Sequence, residues 1–568
     1  MFKLFLRKIN SSSQTITSAA ILIGALSLAS RLVGILRDRI LASEFGAGNA
    51  LDVYYAAFRL PDFVYNLLIL GVISAGLIPV FTSLLTKNKK DEAWKLINSI
   101  LNLLIIGLLI ICASLFLLAP YIIPLITPGF PPEKMAETAA LSRIMFLSPF
   151  FLGLSAIFSS ILQSFRRFFI YSLAPIFYNV GIIIGAIYFT KYWGVSGLAW
   201  GVVLGAFIHM VIQLLPLPFI GFKYSLILDF KDKNVIRVGK LMIPRTLALL
   251  VSQINFVVIT IMASTLAVGS LAIFNLSNNL QNFPLGIFGI SLAVAALPVL
   301  SALAADKKNS EFVSAISTTF RQILFFIIPI SVILFVLRAQ IVRIILGSGN
   351  FNWYDTRLTA ACLAIFCLGL FAQGTFPLII RGFYALHNTK TPFFVGLATM
   401  AVNIISLFLF RFIFSFENGF LFFTTAILRI NELSGLVDFR ILALPAAVTV
   451  SSIFELIILM IFLRRHIGRL DGRKILDSTM RILFASLGAG LFAYALLQIL
   501  DKLVETETFL GILAQGFSAG LLGLVGYWLI GYLLKMEEMH IFTSSLKRKL
   551  LRSAKVRVED SIGEGEGV

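Results

Sequence analysis

The sequence predicts an all-α polytopic membrane protein of about 14 spanning helices, arranged as two six-helix lobes around a central cavity with two further C-terminal helices. Three observations carry this. The 568-residue chain is 58% apolar and only 13% charged, with a mean hydropathy of +0.94, whereas soluble domains carry roughly 25% charged residues. Apolar runs of membrane-crossing length recur from Thr17 to Ile530. A stretch near residue 71 is repeated near residue 290.

The runs divide into spans at about 16–40, 53–82, 96–119, 139–164, 170–190, 195–217, 238–266, 269–303, 313–337, 357–386, 392–412, 441–463, 479–500 and 508–534. Each is long enough to cross ~30 Å of hydrocarbon. The start carries Lys3, Arg7 and Lys8 without a small-residue cleavage site after the apolar run, which reads as an uncleaved first span with a basic cytoplasmic flank. With that end inside, 32 of the 47 Lys and Arg lie in or beside cytoplasmic segments, 9 on the opposite side and 6 within spans. This positive-inside bias puts both termini in the cytoplasm. The net charge of +19 is therefore a matter of topology and attraction to anionic lipid, and nucleic acid is not expected as a partner. Arg338 and Arg343 run against the bias, and the Phe-rich stretch 412–428 reads as re-entrant or interfacial.

Gly71-Val-Ile-Ser-Ala-Gly-Leu-Ile-Pro79 resembles Ile290-Ser-Leu-Ala-Val-Ala-Ala-Leu-Pro298 at a shift of 219, and 166–175 resembles 384–392 at 217. Two related halves follow: an N-terminal six-helix lobe at 1–220, and a second lobe at 235–440 whose end runs on to about 463. The last spans, with the two extra helices, occupy 441–534. Parallel six-helix repeats around a central cavity are a transporter design. In the tail, 535–568, Leu and Val alternate with Lys547, Arg548, Lys549, Arg552, Lys555 and Arg557 before a disordered acidic end. It reads either as an amphipathic helix on the inner leaflet or as a solvated basic tail.

The chemistry-bearing residues lie between Ser30 and Asp62: Arg31, Arg37, Asp38, Asp52, Arg59 and Asp62, in or beside the first two spans. A charge at the centre of a membrane helix costs about 2.5–3.5 kcal/mol on insertion scales, so such residues face a watered cavity or one another. Arg31 and Asp38, seven apart, share one helical face; Asp52, Arg59 and Asn66 repeat at seven and form a polar stripe on the second. Arg245, after Pro244, opens the second half and reads equally as a ligand or a loop anchor. Arginine rather than lysine suits a phosphate- or carboxylate-bearing ligand, which its fork grips with two parallel hydrogen bonds. From the residues alone the expectation is a carrier of an anionic, lipidic substrate. Cys112, Cys362 and Cys367 sit in apolar spans as small hydrophobes; no metal-ligand spacing exists, and no metal or cofactor is expected.

Several motifs are recognisable: Ser30-Arg-Leu-Val-Gly-Ile-Leu-Arg-Asp38, Phe45-Gly-Ala-Gly48, Asp52-Val-Tyr-Tyr-Ala-Ala-Phe-Arg-Leu-Pro61, Ile78-Pro-Val-Phe81, Pro128-Gly-Phe130, Ala174-Pro175 with Asn179, Phe283-Pro284, and Gly382-Phe-Tyr384 through Lys390-Thr-Pro392. From about residue 16 to 400 the chain resembles the MurJ/MviN family of lipid II flippases, within the multidrug/oligosaccharidyl-lipid/polysaccharide exporter superfamily. The resemblance implies the two-lobed exporter fold, with the last two helices forming a groove for a polyprenyl tail. It implies a monomer of the bacterial inner membrane that moves undecaprenyl-diphosphate-linked peptidoglycan precursor outward by alternating access, for cell wall synthesis. On that likeness Arg31, Arg37, Arg59, Asn66 and Arg245 would contact substrate, while Asp38 and Asp52 would orient the arginines or gate the outer mouth. Where many members carry Arg-Arg and then Glu-Gly this chain has Tyr65-Asn66 and Leu70-Gly71, and Asn278-Asn279 stand where many carry an arginine.

Two other readings are weighed. One is an exporter of a different lipid-linked oligosaccharide or a drug within the same superfamily. The other is a membrane enzyme acting on polyprenyl phosphates, which would call for clustered carboxylates or a His/Asp pair; the histidines His209, His387, His466 and His540 are scattered instead.

Overall fold

A computed structural model describes residues 16–70, 76–433, 438–468, 470–503 and 508–544. The basic N-terminal flank, Gly71 and the tail beyond 544 lie outside them. Among the described residues the chain is helical, with no strand. Among these described residues eleven helices are long and apolar enough to cross a membrane. They correspond to every expected span except the first, second and seventh. Each of those three includes residues outside the described set. The first is the helix Ile16–Phe45, the second includes the pieces Asn49–Ala57, Arg59–Val64 and Ile78–Thr86, and the seventh is the helix Lys233–Ser264.

The second span shows how its sequence shapes it. Asn49–Ala57 leads through Phe58 into Arg59–Val64 and then a π-helical turn, Tyr65–Leu70. Pro61 has no N–H to give the carbonyl four residues back. That carbonyl, on Ala57, accepts instead from Ser142 Oγ at 3.0 Å. A second six-residue π-turn, Leu285–Ile290, follows Pro284 at an offset of 220 from the first. The two halves thus share a local backbone irregularity as well as a sequence pattern. π-turns inside α-helices mark places where side chains must be re-aimed.

The chain forms two compact units. One comprises Met1–Leu280, Ile345–Cys362 and Gly396–Ala447; the other comprises Gln281–Ile344, Leu363–Val395 and Val448–Val568. In the first, Phe81, Trp94, Phe165 and Phe222 pack ring to ring, with Trp94 stacked on Phe165 at 6.0 Å. Asn98 and Asn102 donate to the carbonyls of Lys223, Ser225 and Ile227, pinning the polar connection before Lys233. The helices Phe168–Ile184 and Ser196–Leu214 meet along a glycine seam: a Cβ on Gly181 or Gly185 would overlap the backbone of Gly205 or Gly201. Close backbone approach through small residues is the usual packing solution where lipid removes the hydrophobic drive.

In the second unit, buried Arg321 donates to Glu537 at 2.8 Å and to Glu538, which also accepts from Ser478 Oγ at 2.9 Å. The buried Tyr527 hydroxyl donates to the Phe325 carbonyl at 2.9 Å. The three cysteines are buried and free, as small core residues.

The glycine seam yields a test. Gly185→Val or Gly201→Val should separate the two helices, with an overpacking cost of about 1–3 kcal/mol or more. The thermal midpoint of purified protein in detergent should fall, whereas Gly107→Ala, where a Cβ meets nothing within 4 Å, should leave it unchanged.

Candidate functional site

The charged residues of the first two spans occupy three positions in the first unit. Asp52 is the most enclosed, 2% exposed near the start of Asn49–Ala57. Its Oδ2 accepts from Lys134 Nζ at 2.9 Å and from the Gly269 N–H at 2.8 Å, and its Oδ1 from the Ala272 N–H at 3.0 Å. The carboxylate therefore caps the helix Ser270–Pro284, whose first N–H groups lack intrahelical partners and carry the positive end of the helix dipole. Lys134, 8% exposed, also donates to Asn49 Oδ1 and lies 4.1 Å above the Phe130 ring.

This arrangement needs backbones that nearly touch. Gly269 has φ +87, and a Cβ there would overlap the Ala47 carbonyl. Gly349, at φ +56, lies equally close to Ser43, whose carbonyl accepts from the Asn350 N–H at 2.8 Å. Asp355 accepts from the Ala47 N–H at 3.2 Å. Segments 43–52, 269–272 and 349–355 are thereby joined through main-chain groups and the carboxylates of Asp52 and Asp355.

The second position is Arg37 with Asp38. Nε and Nη2 of Arg37 donate to Asp38 Oδ1 at 2.9 and 2.7 Å, and Nη1 donates to Asn179 Oδ1 at 2.9 Å. Asn179 is itself oriented by donating to the Pro175 carbonyl. The other Asp38 oxygen accepts from Asn279 Nδ2 at 3.0 Å. The third position is Arg59. Its Nε donates to Thr260 Oγ1 and its Nη2 to Asn275 Oδ1, both at 2.8 Å, with Phe256 5.5 Å from the guanidinium. Thr260 and Asn275 are fixed by bonds to the Phe256 and Leu271 carbonyls.

The remaining sequence-predicted residues are Asn66, Arg31 and Arg245. Asn66 donates to the Asp62 carbonyl one turn back. Arg31 is half-buried on the first helix. Arg245 belongs to the helix Lys233–Ser264, and its side chain is outside the described set. Sequence reasoning missed Lys134, Thr260 and Asn275. Lys134 carried a usable signal: it is a cation on the side that the positive-inside bias leaves poor in cations. Thr260 and Asn275 carried none, because neutral polar residues are common in such helices.

A guanidinium held by neutral acceptors keeps its full charge and its donors in place. The hydrogen bonds of Arg59 go to neutral acceptors, with the Asp62 carboxylate close enough to attract it, and Arg37 shares only one carboxylate, itself also bound by Asn279. The arrangement suits an anion presenting several acceptor oxygens. Among the described residues no group of three or more His, Cys, Asp or Glu could hold a metal ion.

Residues 41–514 match the family model of the lipid II flippase MurJ. A probable lipid II flippase MurJ of Vibrio cholerae serotype O1 is 30% identical over 404 residues, covering 69% of this chain and 77% of that protein. One from Rhizobium tropici is 30% identical over 392 residues, covering 67% and 73%. Among solved structures, a lipid II flippase MurJ in an inward closed conformation superposes with a TM-score of 0.70 at 24% identity, over 90% of this chain and 98% of that one. An inward-facing multidrug resistance MATE family transporter of the MOP superfamily superposes at 0.63 and 13% identity, over 79% and 99%. These two superpositions concern the fold alone.

Breaking one side of a buried ion pair costs about 3–5 kcal/mol, because it strands the other charge. Lys134→Ala and Asp52→Ala should each lower the thermal midpoint strongly. In a double-mutant cycle the pair together should lose clearly less than the sum, since neither leaves a stranded partner.

Proposed function

The chain belongs to the lipid II flippase MurJ family, and on that premise we propose that it carries lipid II, the undecaprenyl-diphosphate-linked peptidoglycan precursor, from the inner to the outer leaflet of the bacterial inner membrane. It is a multi-pass membrane transporter; in this reading it works as a monomer with both termini in the cytoplasm. The two repeated lobes, 1–220 and 235–440, would alternate access to the cavity between them.

The observation that carries the reading is the pair of arginine sites at membrane depth. A diphosphate offers charged acceptors to Arg37 and Arg59 in place of the amide and hydroxyl oxygens of Asn179, Asn275 and Thr260. Charge-assisted bonds are roughly twice as strong as neutral ones, so the exchange favours binding. Arg31 and Arg245 would add to this cationic surface, and Asn66 would line it once its own donor is released. On the family resemblance Tyr65, Asn66 and Asn279 stand where many members carry arginine, so this cavity would grip the diphosphate with fewer guanidinium groups.

Asp38 and Asp52 take the orienting and gating roles. Asp38 fixes the Arg37 fork on one edge, leaving Nη1 aimed at Asn179. Asp52 ties the second span to the first turn of Ser270–Pro284; release of those N–H groups would open the mouth. Against an exporter of other cargo stands the MurJ identity of relatives matched at 30%.

The test is complementation of a bacterium depleted of its own flippase. The unaltered chain should restore growth, whereas Arg31→Ala and Arg59→Ala, expressed to the same level, should not. Losing one charged contact is worth about 1.5–3 kcal/mol, or about ten- to a hundredfold in affinity for a lipid diphosphate. Rescue by both variants would overturn the cavity model, and failure of the well-expressed unaltered chain would point to another cargo.

A further inference from the structure

The segment 413–433 takes no part in the transport reading, yet it contains a helix built in an unusual way. Gly419–Leu428 has ten residues and no charge. At 1.5 Å per residue it is ~15 Å long, half of what is needed to cross ~30 Å of hydrocarbon. Thr425 and Leu428 are buried, while Phe420, Phe422, Phe423 and Ile427 stand exposed. In water such a surface would be a liability.

Both ends of the helix are closed by side chains. Asn418 Oδ1 accepts from the Leu421 N–H at 2.7 Å, and its Nδ2 donates to the Ile413 and Phe416 carbonyls. At the other end Arg357 Nη1 donates to the Arg429 carbonyl at 2.7 Å while its Nη2 pairs with Glu432. Thr424 and Thr425 turn their hydroxyls onto carbonyls of their own helix. Such internal satisfaction is what backbone in a water-poor medium requires.

The exposed rings also continue an existing apolar surface. The preceding helix Lys390–Ile413 is a candidate span, with Ile405, Phe408, Leu409 and Phe412 exposed. Phe412 meets Phe416 at 5.0 Å and the buried Phe414 meets Phe420 at 5.8 Å, so ring contacts link that span to the short helix. Charged groups mark the water level at both ends: Glu417 before the helix and Arg429 and Glu432 after it, all exposed. Trp353 and Tyr354, also exposed, flank the Arg357 that closes the helix. Trp and Tyr concentrate at the membrane–water boundary.

We infer that Gly419–Leu428 lies flat in the membrane interface, with Phe420, Phe422, Phe423 and Ile427 inserted among the acyl chains of the leaflet and Arg357 anchoring its C-terminal end. Its partner is the lipid surface. Ends at one level distinguish this from a re-entrant hairpin that would carry one end deep.

Spin labels in the full-length protein, reconstituted in phospholipid nanodiscs, test this. The native cysteines are buried and free, so labels go on Phe420→Cys, Phe423→Cys and Ile427→Cys, with Glu417→Cys as the aqueous reference. The three helix labels should show a severalfold higher oxygen-to-nickel accessibility ratio than the reference, with equal depths for positions 420 and 427. A preference for the nickel complex would make the helix aqueous. Protection from both reagents would mean a protein covers it, and a much greater depth at 427 than at 420 would make it re-entrant; each result would overturn the proposal.

Discussion

The first unit is organised around a carboxylate that has almost no access to water. An ionised Asp52 is tolerated only with a full set of partners, since an isolated buried charge is far too costly. Lys134 supplies the countercharge, and two N–H groups at the start of Ser270–Pro284 supply the remaining donors. To deliver those donors the 264–272 segment must come within van der Waals distance of 47, which only a glycine at 269 permits. One desolvated oxygen pair thus dictates which three segments meet and how closely.

The arginines are handled differently. Lys134 cancels the Asp52 charge locally, but Arg59 is cradled by a threonine hydroxyl, an amide oxygen and an aromatic face, none of which removes its charge. Arg37 is intermediate, sharing Asp38 with Asn279. A structural ion pair and a site prepared for an incoming anion are built from the same residue types. They differ in whether the acceptors are charged: the hydrogen bonds of Arg59 go to neutral oxygens, and Arg37 keeps only its Nη1 edge on one, that of Asn179.

The backbone is irregular in the same helices. The charged second span contains a proline that leaves the Ala57 carbonyl to Ser142, and a π-turn follows just beyond. A π-turn at the matching place in the other half, 220 residues on, ties this irregularity to the repeat. Long apolar helices such as Lys90–Ile126 serve as frame, while the interrupted second span carries polar chemistry.

Much of this was legible in the sequence. Long apolar runs specify helices at membrane depth because hydrocarbon leaves backbone groups no partner but one another. Charge inside those runs marked Arg37, Asp38, Asp52 and Arg59 by cost alone. Membership of the flippase family was likewise written in the Ser30–Asp38 and Asp52–Pro61 motifs. The partners were not. That Asp52 would meet Lys134, 82 residues away, and the Gly269 N–H, 217 away, or that Arg59 would meet Asn275, depends on how distant helices pack. The seven-residue spacing of Asp52, Arg59 and Asn66 put them on one helix, yet Asn66 turned to the Asp62 carbonyl, because a local acceptor one turn away was within reach. Sequence determined which groups could not be left alone in the membrane; only the tertiary structure decided what would satisfy each, since a partner across helices is a matter of distance that no local pattern encodes.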